Sequence, residues 1–439
     1  MSFNKYRCRY FEENNWCLKL QPLYQNGLLT SISDGSVHLL DWGNLKSIST
    51  IQCHASSIND LKVINSDFDG GSVFATAAED GVKVWDIRSK SNVASIQNEK
   101  VSPFFSLDSR HNMLACGTEL KDYDAELHIY DIRNWIKPVR SFMDSHHDDI
   151  TDIKFHPSDS NLLMSGSTDG YVNIYDLTQD DEEDALHQVI NFASIHSCGW
   201  LGPKRIWSLS HMETFGIHEL NDKSDDMVEP KPIDFGDVRD KWGCGYVIDI
   251  YPSFVATGKF NETQGDLKII PFQNEQADIA NARTIPDAHG TEVVRDVLIP
   301  KNQNCLLYSC GEDGYVNAWK DTANSLNVPS TFWDYTQPFS AFENSIREID
   351  MDMDTNMESE SAQSERPLSE QESSSSSSDD EVEPKKSKKD KKDKKDKKEK
   401  KDKKDKKDKK DKKDKKKKDR HSKSKSKSKK EKEHRFKPY

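Results

Sequence analysis

The sequence predicts an all-β chain built from seven copies of one four-stranded unit, followed by a long charged segment with no core of its own. Three observations carry this. Two short apolar runs flanking an Asp-Gly turn recur along the chain, most clearly as LLMSGSTDGYVNIYD at 162–176. The copies stand about 45 residues apart across the first three-quarters of the sequence, the length of a four-stranded unit. Beyond residue 340 the charge changes character abruptly. Residues 1–340 carry 28 basic and 50 acidic side chains, residues 341–384 carry 2 and 14, and residues 385–439 carry 33 and 12. The net charge of −13 therefore conceals regions of −22, −12 and +21.

Asp-Gly between alternating strands marks a hairpin, because glycine tolerates the positive φ of a tight turn. Taken in order, the copies read SDGSVHLLDW at 33–42, EDGVKVWDIR at 79–88, AELHIYDIRNW at 125–135 and TDGYVNIYDL at 168–177. METFGIHEL at 212–220 and GDLKIIPF at 265–272 are weaker, and EDGYVNAWKD at 312–321 is strong. The residue closing each copy falls at 41, 86, 131, 176, 219, 271 and about 320, so the last two steps stretch to about 50.

An upstream half accompanies three copies: HASSI at 54–58, HHDDI at 146–150 and HGTEV at 289–293, each a His four residues before a β-branched residue. On these residues the chain resembles the WD40-repeat β-propellers, and seven copies imply seven blades. The resemblance implies a hydrogen-bonded His, Ser/Thr, Asp and Trp within a blade. Blade seven supplies His289, Ser309, Asp313 and Trp319; blade four supplies His146, Ser165, Asp169 and Tyr175. Blade two supplies His54, Thr76, Asp80 and Trp85 with one residue fewer between Asp and Trp, a departure from the pattern. A set repeated three times reads as bracing that satisfies buried polar atoms. A Ser-His-Asp catalytic site would be a single unrepeated constellation.

A propeller must close on itself. Residues 6–11 are the expected closing strand beside blade seven, with STFWDY at 330–335 as the competing candidate. Three insertions are expected on the propeller faces, where binding concentrates. Residues 119–124 lengthen a turn of blade three. DDEED at 180–184 forms an acidic loop after blade four, and residues 229–242 lie between blades five and six.

GWLGPKRIWSLSHMETFGIHEL at 199–220, DFGDVRDKWGCGYVIDIYPSFVATGKF and HGTEVVRDVLIPKNQNCLLYSCGEDGYVNAWK are similar, in order, to the WD repeat-containing protein 89 family. The likeness spans roughly residues 15–320 and offers no enzymatic activity to carry over.

Eight cysteines, at 8, 17, 53, 116, 198, 244, 305 and 310, form no CxxC pair. They read as small buried apolar residues of a reducing compartment, so neither metal nor other cofactor is expected. The N-terminus lacks an apolar signal core, and no run approaches the ~18 apolar residues of a membrane span. A soluble intracellular monomer is expected.

Residues 341–384 are acidic, Ser-rich and nearly free of aromatics, the composition of a disordered linker. Ser376, Ser377 and Ser378 each precede an acidic residue by three positions. That resembles the preference of casein-kinase-2-type kinases, whose phosphorylation would add negative charge. Residues 385–439 form a lysine-rich, low-complexity tail of KKD and KKE triplets. Lys385, Lys386, Lys388 and Lys389 after a proline resemble a nuclear import signal. The triplets resemble the tails of fungal small nucleolar ribonucleoprotein core proteins. Nucleus or nucleolus, and salt-sensitive contact with RNA or ribonucleoprotein, are the expectations.

The leading functional expectation is a nuclear WD-repeat scaffold holding a protein partner on a propeller face. The alternative is a substrate receptor for a cullin-4-type ubiquitin ligase. VFATAAEDGVKVWDIR at 73–88 resembles the receptor box, ending in Asp86 and Arg88, and IYDIR repeats the ending as Asp131 and Arg133. No GxGxxG, P-loop, HExxH or GxSxG occurs. Asp60 and Asp152, just after Ile58 and Ile150, are expected to line a channel mouth, with Arg295 at the matching position of blade seven.

Overall fold

Seven antiparallel sheets, each of four main strands, are arranged around one channel in a computed structural model that describes residues 3–64, 71–221, 231–251, 253–260, 264–300 and 306–322. The first strands of the blades are Cys17–Leu23, Ile58–Val63, Phe104–Arg110, Ile150–Phe155, Ile195–Gly202, Tyr246–Tyr251 and Val294–Leu298. Blade four is representative. Ile150–Phe155 pairs with Leu162–Ser167, which pairs with Tyr171–Asp176, which pairs with Leu186–Asn191. Gly170 takes φ +94° in the connecting turn, a conformation L side chains rarely adopt.

Apolar side chains on both faces of each blade meet those of its neighbours. The result is seven buried clusters, one at each blade interface. Between blades three and four, for example, Leu127, Ile129 and Phe142 pack against Ile153, Phe155 and Tyr175. Each blade thus depends on both neighbours for its burial, and the ring is stable only when closed.

Closure comes from the N-terminus. Phe3–Tyr10 lies antiparallel to Tyr315–Asp321, with Phe3 opposite Asp321 and Tyr10 opposite Tyr315. The strand begins three residues before the expected start at residue 6. Phe11 follows it and donates its N–H to Gly314 O at 2.8 Å. Phe3 is buried beside Trp319 in the interface of blades six and seven. The competing 330–335 segment lies outside the described residues.

Two expected insertions are placed differently. Residues 180–184 lie within blade four, between its third and fourth strands, where Asp181 caps one helical turn at Glu182–Ala185. The Glu182 carboxylate accepts from Met143 N and Asp144 N, both at 2.9 Å. This ties the acidic turn to the outer strand of blade three. Most of 229–242 is structural too. Ile233–Asp237 is the outer strand of blade five, and the helical turn Arg239–Trp242 buries Trp242 between blades five and six. Apolar residues spaced for a strand were hidden there by a weak repeat. The long step in blade six comes from its nine-residue third strand, Gly265–Gln273, followed by Gln276–Ala277 and the turn Ile279–Asn281. Residues 119–124 do lengthen the turn between the second and third strands of blade three.

Candidate interaction faces and central channel

The topology gives the ring two rims. One, here the His–Asp rim, carries the turns between second and third strands and the entries into the first strands. The opposite rim carries the first-to-second and third-to-fourth connections.

In blade seven His289 Nδ1 is 2.8 Å from Asp313 Oδ1 and its Nε2 is 2.7 Å from Ser309 Oγ. Trp319 Nε1–H donates to the same Oγ at 2.8 Å. Blade four has His146 Nδ1 2.9 Å from Asp169 Oδ2, Nε2 2.7 Å from Ser165 Oγ, and Ser165 Oγ 3.2 Å from the Tyr175 hydroxyl. In both, an asparagine facing the serine in the sheet closes the set: Asn317 donates to Ala288 O and Asn173 to Ser145 O. These three histidine, serine and asparagine positions are buried in each blade.

Blade two keeps the first half of this chain only. His54 contacts Asp80 and lies 2.7 Å from Thr76 Oγ1. Its turn is shorter, with Ala78 opposite Gly81. Lys83 takes the asparagine's place and donates to Cys53 O at 3.0 Å and to Asp80 at 2.7 Å. The buried Trp85 Nε1 finds no acceptor among the described residues.

Sequence reading placed all seven blades but missed the polar sets of blades three, five and six, where other side chains replace the signature residues. In blade five His218 stands where the Trp would and lies 2.9 Å from Ser208 Oγ. In blade six Lys268, opposite Thr257, donates to Gly243 O at 2.8 Å. In blade three the buried Glu126 accepts from Asn98 Nδ2 at 2.8 Å and lies 3.0 Å from His128 Nε2.

The channel is lined by the first strands, and all seven carry a register shift at the same place. The shifts fall at Cys17/Lys19, Ile58/Asp60, Phe104/Ser106, Ile150/Asp152, Ile195/Ser197, Val247/Asp249 and Val294/Asp296. A β-bulge re-aims the side chains around it. The position after it therefore reads Lys19, Asp60, Ser106, Asp152, Ser197, Asp249 and Asp296 around the ring. The matching residue of blade seven is Asp296 and not Arg295. Val294 stands five positions after His289, whereas Ile58 stands four after His54, so counting from the histidine lands one position early. Arg295 instead pairs with Glu312 and lies over the Trp16 ring.

These carboxylates stitch blades together. Asp60 accepts from Leu61 N and from Leu107 N of blade three, both at 2.8 Å. Asp152 accepts from Ile153 N and Cys198 N, and Asp296 from Val297 N and Leu20 N. Each reaches a following blade that lacks its own Asp. With seven blades the alternation fails once, where blade six meets blade seven and both carry Asp. There Asp249 Oδ1 accepts from Ile250 N, and no bond to its Oδ2 is found among the described residues. Burial, with Asp249 adding to it, pushes the Asp296 carboxyl up to about 6. Burial also raises Asp60 and Asp249. Lysines balance the ring: Lys62 pairs with Asp108 and Lys154 with Asp152, both at 2.6 Å. The recurring apolar-x-Asp-apolar words INDL, ITDI, VIDI and VRDV were the legible signal for this ring.

Asp86 and Arg88 form a bidentate pair at 2.7 and 3.0 Å, and Asp131 and Arg133 at 2.6 and 2.9 Å. Both sit after third strands of adjacent blades, on the opposite rim, with the arginines exposed. Asp237 and Arg239 repeat the pair elsewhere, on the His–Asp rim.

The His–Asp rim over blades three to five exposes Tyr123 (89%), Met212 (64%) and Val101 (53%). Leu120 N donates to Asp149 Oδ1 and Lys121 Nζ to Val101 O, both at 2.8 Å, which fixes the 119–124 turn on this rim. Glu99, Glu119, Asp122, Asp124, Asp148 and Asp149 make the surface acidic. Ser376, Ser377, Ser378, Lys385, Lys386, Lys388, Lys389 and Cys305 lie outside the described residues. No group of metal-binding side chains occurs among the described residues, and none of their helices is long and apolar enough to cross a membrane.

The sequence profile described as WD domain, G-beta repeat matches residues 136–176. An uncharacterized WD repeat-containing protein of Saccharomyces cerevisiae is 58% identical over 353 residues, covering 80% of this chain and 91% of the relative. One from Schizosaccharomyces pombe is 30% identical over 323 residues, covering 70% and 96%. A Dictyostelium discoideum WD repeat-containing protein 89 homolog is 26% identical over 315 residues, covering 69% and 82%.

Proposed function

Because the chain belongs to the WD-repeat protein family, we propose that it is a non-catalytic scaffold that holds a protein partner on the His–Asp rim of its propeller. The observation that carries this is the fate of the chemically suggestive residues. The His, Ser and Asp sets recur from blade to blade and are consumed in hydrogen bonds within and between blades. What remains unengaged is surface: the exposed Tyr123, Met212 and Val101 among carboxylates. A rim of that kind suits a partner segment carrying apolar and basic side chains.

The placement in the nucleus or nucleolus is part of the proposal. It rests on the basic cluster from Lys385 to Lys389 and the +21 tail at 385–439. The tail's role is electrostatic tethering to RNA or ribonucleoprotein.

Affinity purification of the full-length protein, compared with a form truncated after Ser340, tests both parts. Partners common to both belong to the propeller. Partners lost on truncation, and lost from the full chain in high salt, belong to the tail. If Tyr123→Ala with Met212→Ala leaves every shared partner in place, the rim assignment fails. If the truncated form stays nuclear, the targeting role of the tail fails.

A second reading, the ligase substrate receptor, draws on the two Asp–Arg forks presented side by side on the opposite rim. Replacing Arg88 and Arg133 together should abolish capture of the ligase adaptor if that reading holds. An unchanged pull-down removes it.

A further inference from the structure

The N-terminal strand Phe3–Tyr10, FNKYRCRY, is the outer edge of blade seven, and every residue after Phe3 is exposed. It carries Lys5, Arg7 and Arg9, and Lys320 is exposed on the strand beside it. No ion pair to Lys5, Arg7 or Arg9 is found among the described residues. Several cations elsewhere on the ring do pair with carboxylates, among them Arg88, Arg133, Arg205, Arg239, Lys62 and Lys154. In a region of 28 basic and 50 acidic side chains, three cations on one strand that lie over aromatic rings rather than beside carboxylates form a local inversion of charge.

Edge protection does not account for it. Charged residues on outer strands discourage edge-to-edge pairing, but the other six outer strands carry at most one Lys or Arg each, as in SISTIQ, SNVASI and LHQVIN. Aromatic rings are interleaved with the cations. Tyr6 and Tyr10 are exposed, the Arg7 guanidinium lies 4.4 Å from the Tyr6 ring, and Tyr10 is 4.8 Å from Tyr315. The register shift between Lys5 and Arg7 places Lys5 and Tyr10 with Trp319 and Tyr315 on one face, and Arg7 and Arg9 with Ala318 and Val316 on the other. Charge and rings therefore flank the free edge on both sides. At about 3.3 Å per residue, Lys5 to Arg9 spans roughly 13 Å, enough for more than one phosphate.

We propose that this edge binds single-stranded nucleic acid, with Lys5, Arg7 and Arg9 contacting phosphates and Tyr6 and Tyr10 stacking on bases. Cations alone would suit an acidic peptide equally well. Solvent-facing rings beside them favour nucleic acid, because base stacking on aromatics is the sequence-independent half of such recognition. The site includes no residue of the basic tail.

The test uses the full-length protein and a short oligouridine, cross-linked by ultraviolet light and mapped by mass spectrometry, so that tail and strand are read separately. Adducts are expected on Tyr6 or Tyr10. Replacing Lys5, Arg7 and Arg9 by Gln should cut those adducts roughly tenfold and lower the salt slope of binding by about 2, at about 0.7 per phosphate contact. The Arg7→Lys, Arg9→Lys variant should retain both, separating lost charge from a disturbed closing strand. Adducts confined to residues 385–439 would overturn the proposal. So would a peptide of residues 341–384 that binds wild type but not the Gln variant while the oligouridine adducts stay unchanged.

Discussion

Trp319 Nε1–H donates to Ser309 Oγ at 2.8 Å, while the buried indole Nε1 of Trp85, at the same register of blade two, has no acceptor among the described residues. Trp319→Phe should therefore cost about 1–3 kcal/mol, since it leaves a buried network one donor short. Trp85→Phe removes an unsatisfied donor and should be close to neutral. Urea unfolding of the two variants checks the contrast, and equal losses would contradict the register argument.

Asp60 and Asp249 occupy equivalent places but carry unequal loads. Asp60→Ala strands the N–H groups of Leu61 and Leu107 and should cost about 2–4 kcal/mol. Asp249→Asn keeps an acceptor for Ile250 N and removes the charge beside Asp296, so its midpoint should stay near wild type.

Glu213, in a blade-five turn, accepts from Val247 N of blade six at 2.9 Å, and burial pushes its carboxyl up to about 7. A group whose pKa is raised on folding holds its proton more tightly in the native state. Its contribution is thus complete below the unfolded value and is lost as pH rises through 7. Stability should fall by on the order of 2 kcal/mol between pH 4.5 and 8. Glu213→Gln should flatten that slope in thermal melts taken across the range.

Phe3–Tyr10 closes the ring, so its removal exposes the edge of Tyr315–Asp321 and uncovers Trp319. Deleting residues 1–10 should cost several kcal/mol, burial of Phe3 alone being worth about 1.5–3 kcal/mol. Truncation after Thr322, which removes the 330–335 segment, should leave the melting midpoint unchanged. Differential scanning calorimetry of both forms distinguishes a closing N-terminus from a closing C-terminal segment.

The fold was legible because its signals are local. An Asp-Gly turn and alternating strands such as YVNIYD need only neighbouring residues to be recognised, and their repetition gave seven units and their order. The His–Asp–Ser sets were found where the residue types survived, in blades two, four and seven. Ser208 with His218, and Thr257 with Lys268, escaped because different side chains fill the same register, which only pairing reveals. The channel escaped for another reason. Counting from a histidine cannot see the extra residue before Val294, so Arg295 was put where Asp296 stands.

By itself, then, the sequence determined the strand repeat, the turns that space it and the division of charge, each a property of residues near one another in the chain. Tertiary structure alone decided the rest. It decided that Phe3 meets Asp321, that residues 180–184 and 233–237 belong inside blades, and that Asp249 is the carboxylate an odd-numbered ring leaves over. It also decided that Lys5, Arg7 and Arg9 stand on an exposed edge with no ion pair among the described residues. Contacts between residues hundreds of positions apart follow from closing the ring, and no local pattern records where a chain will meet itself.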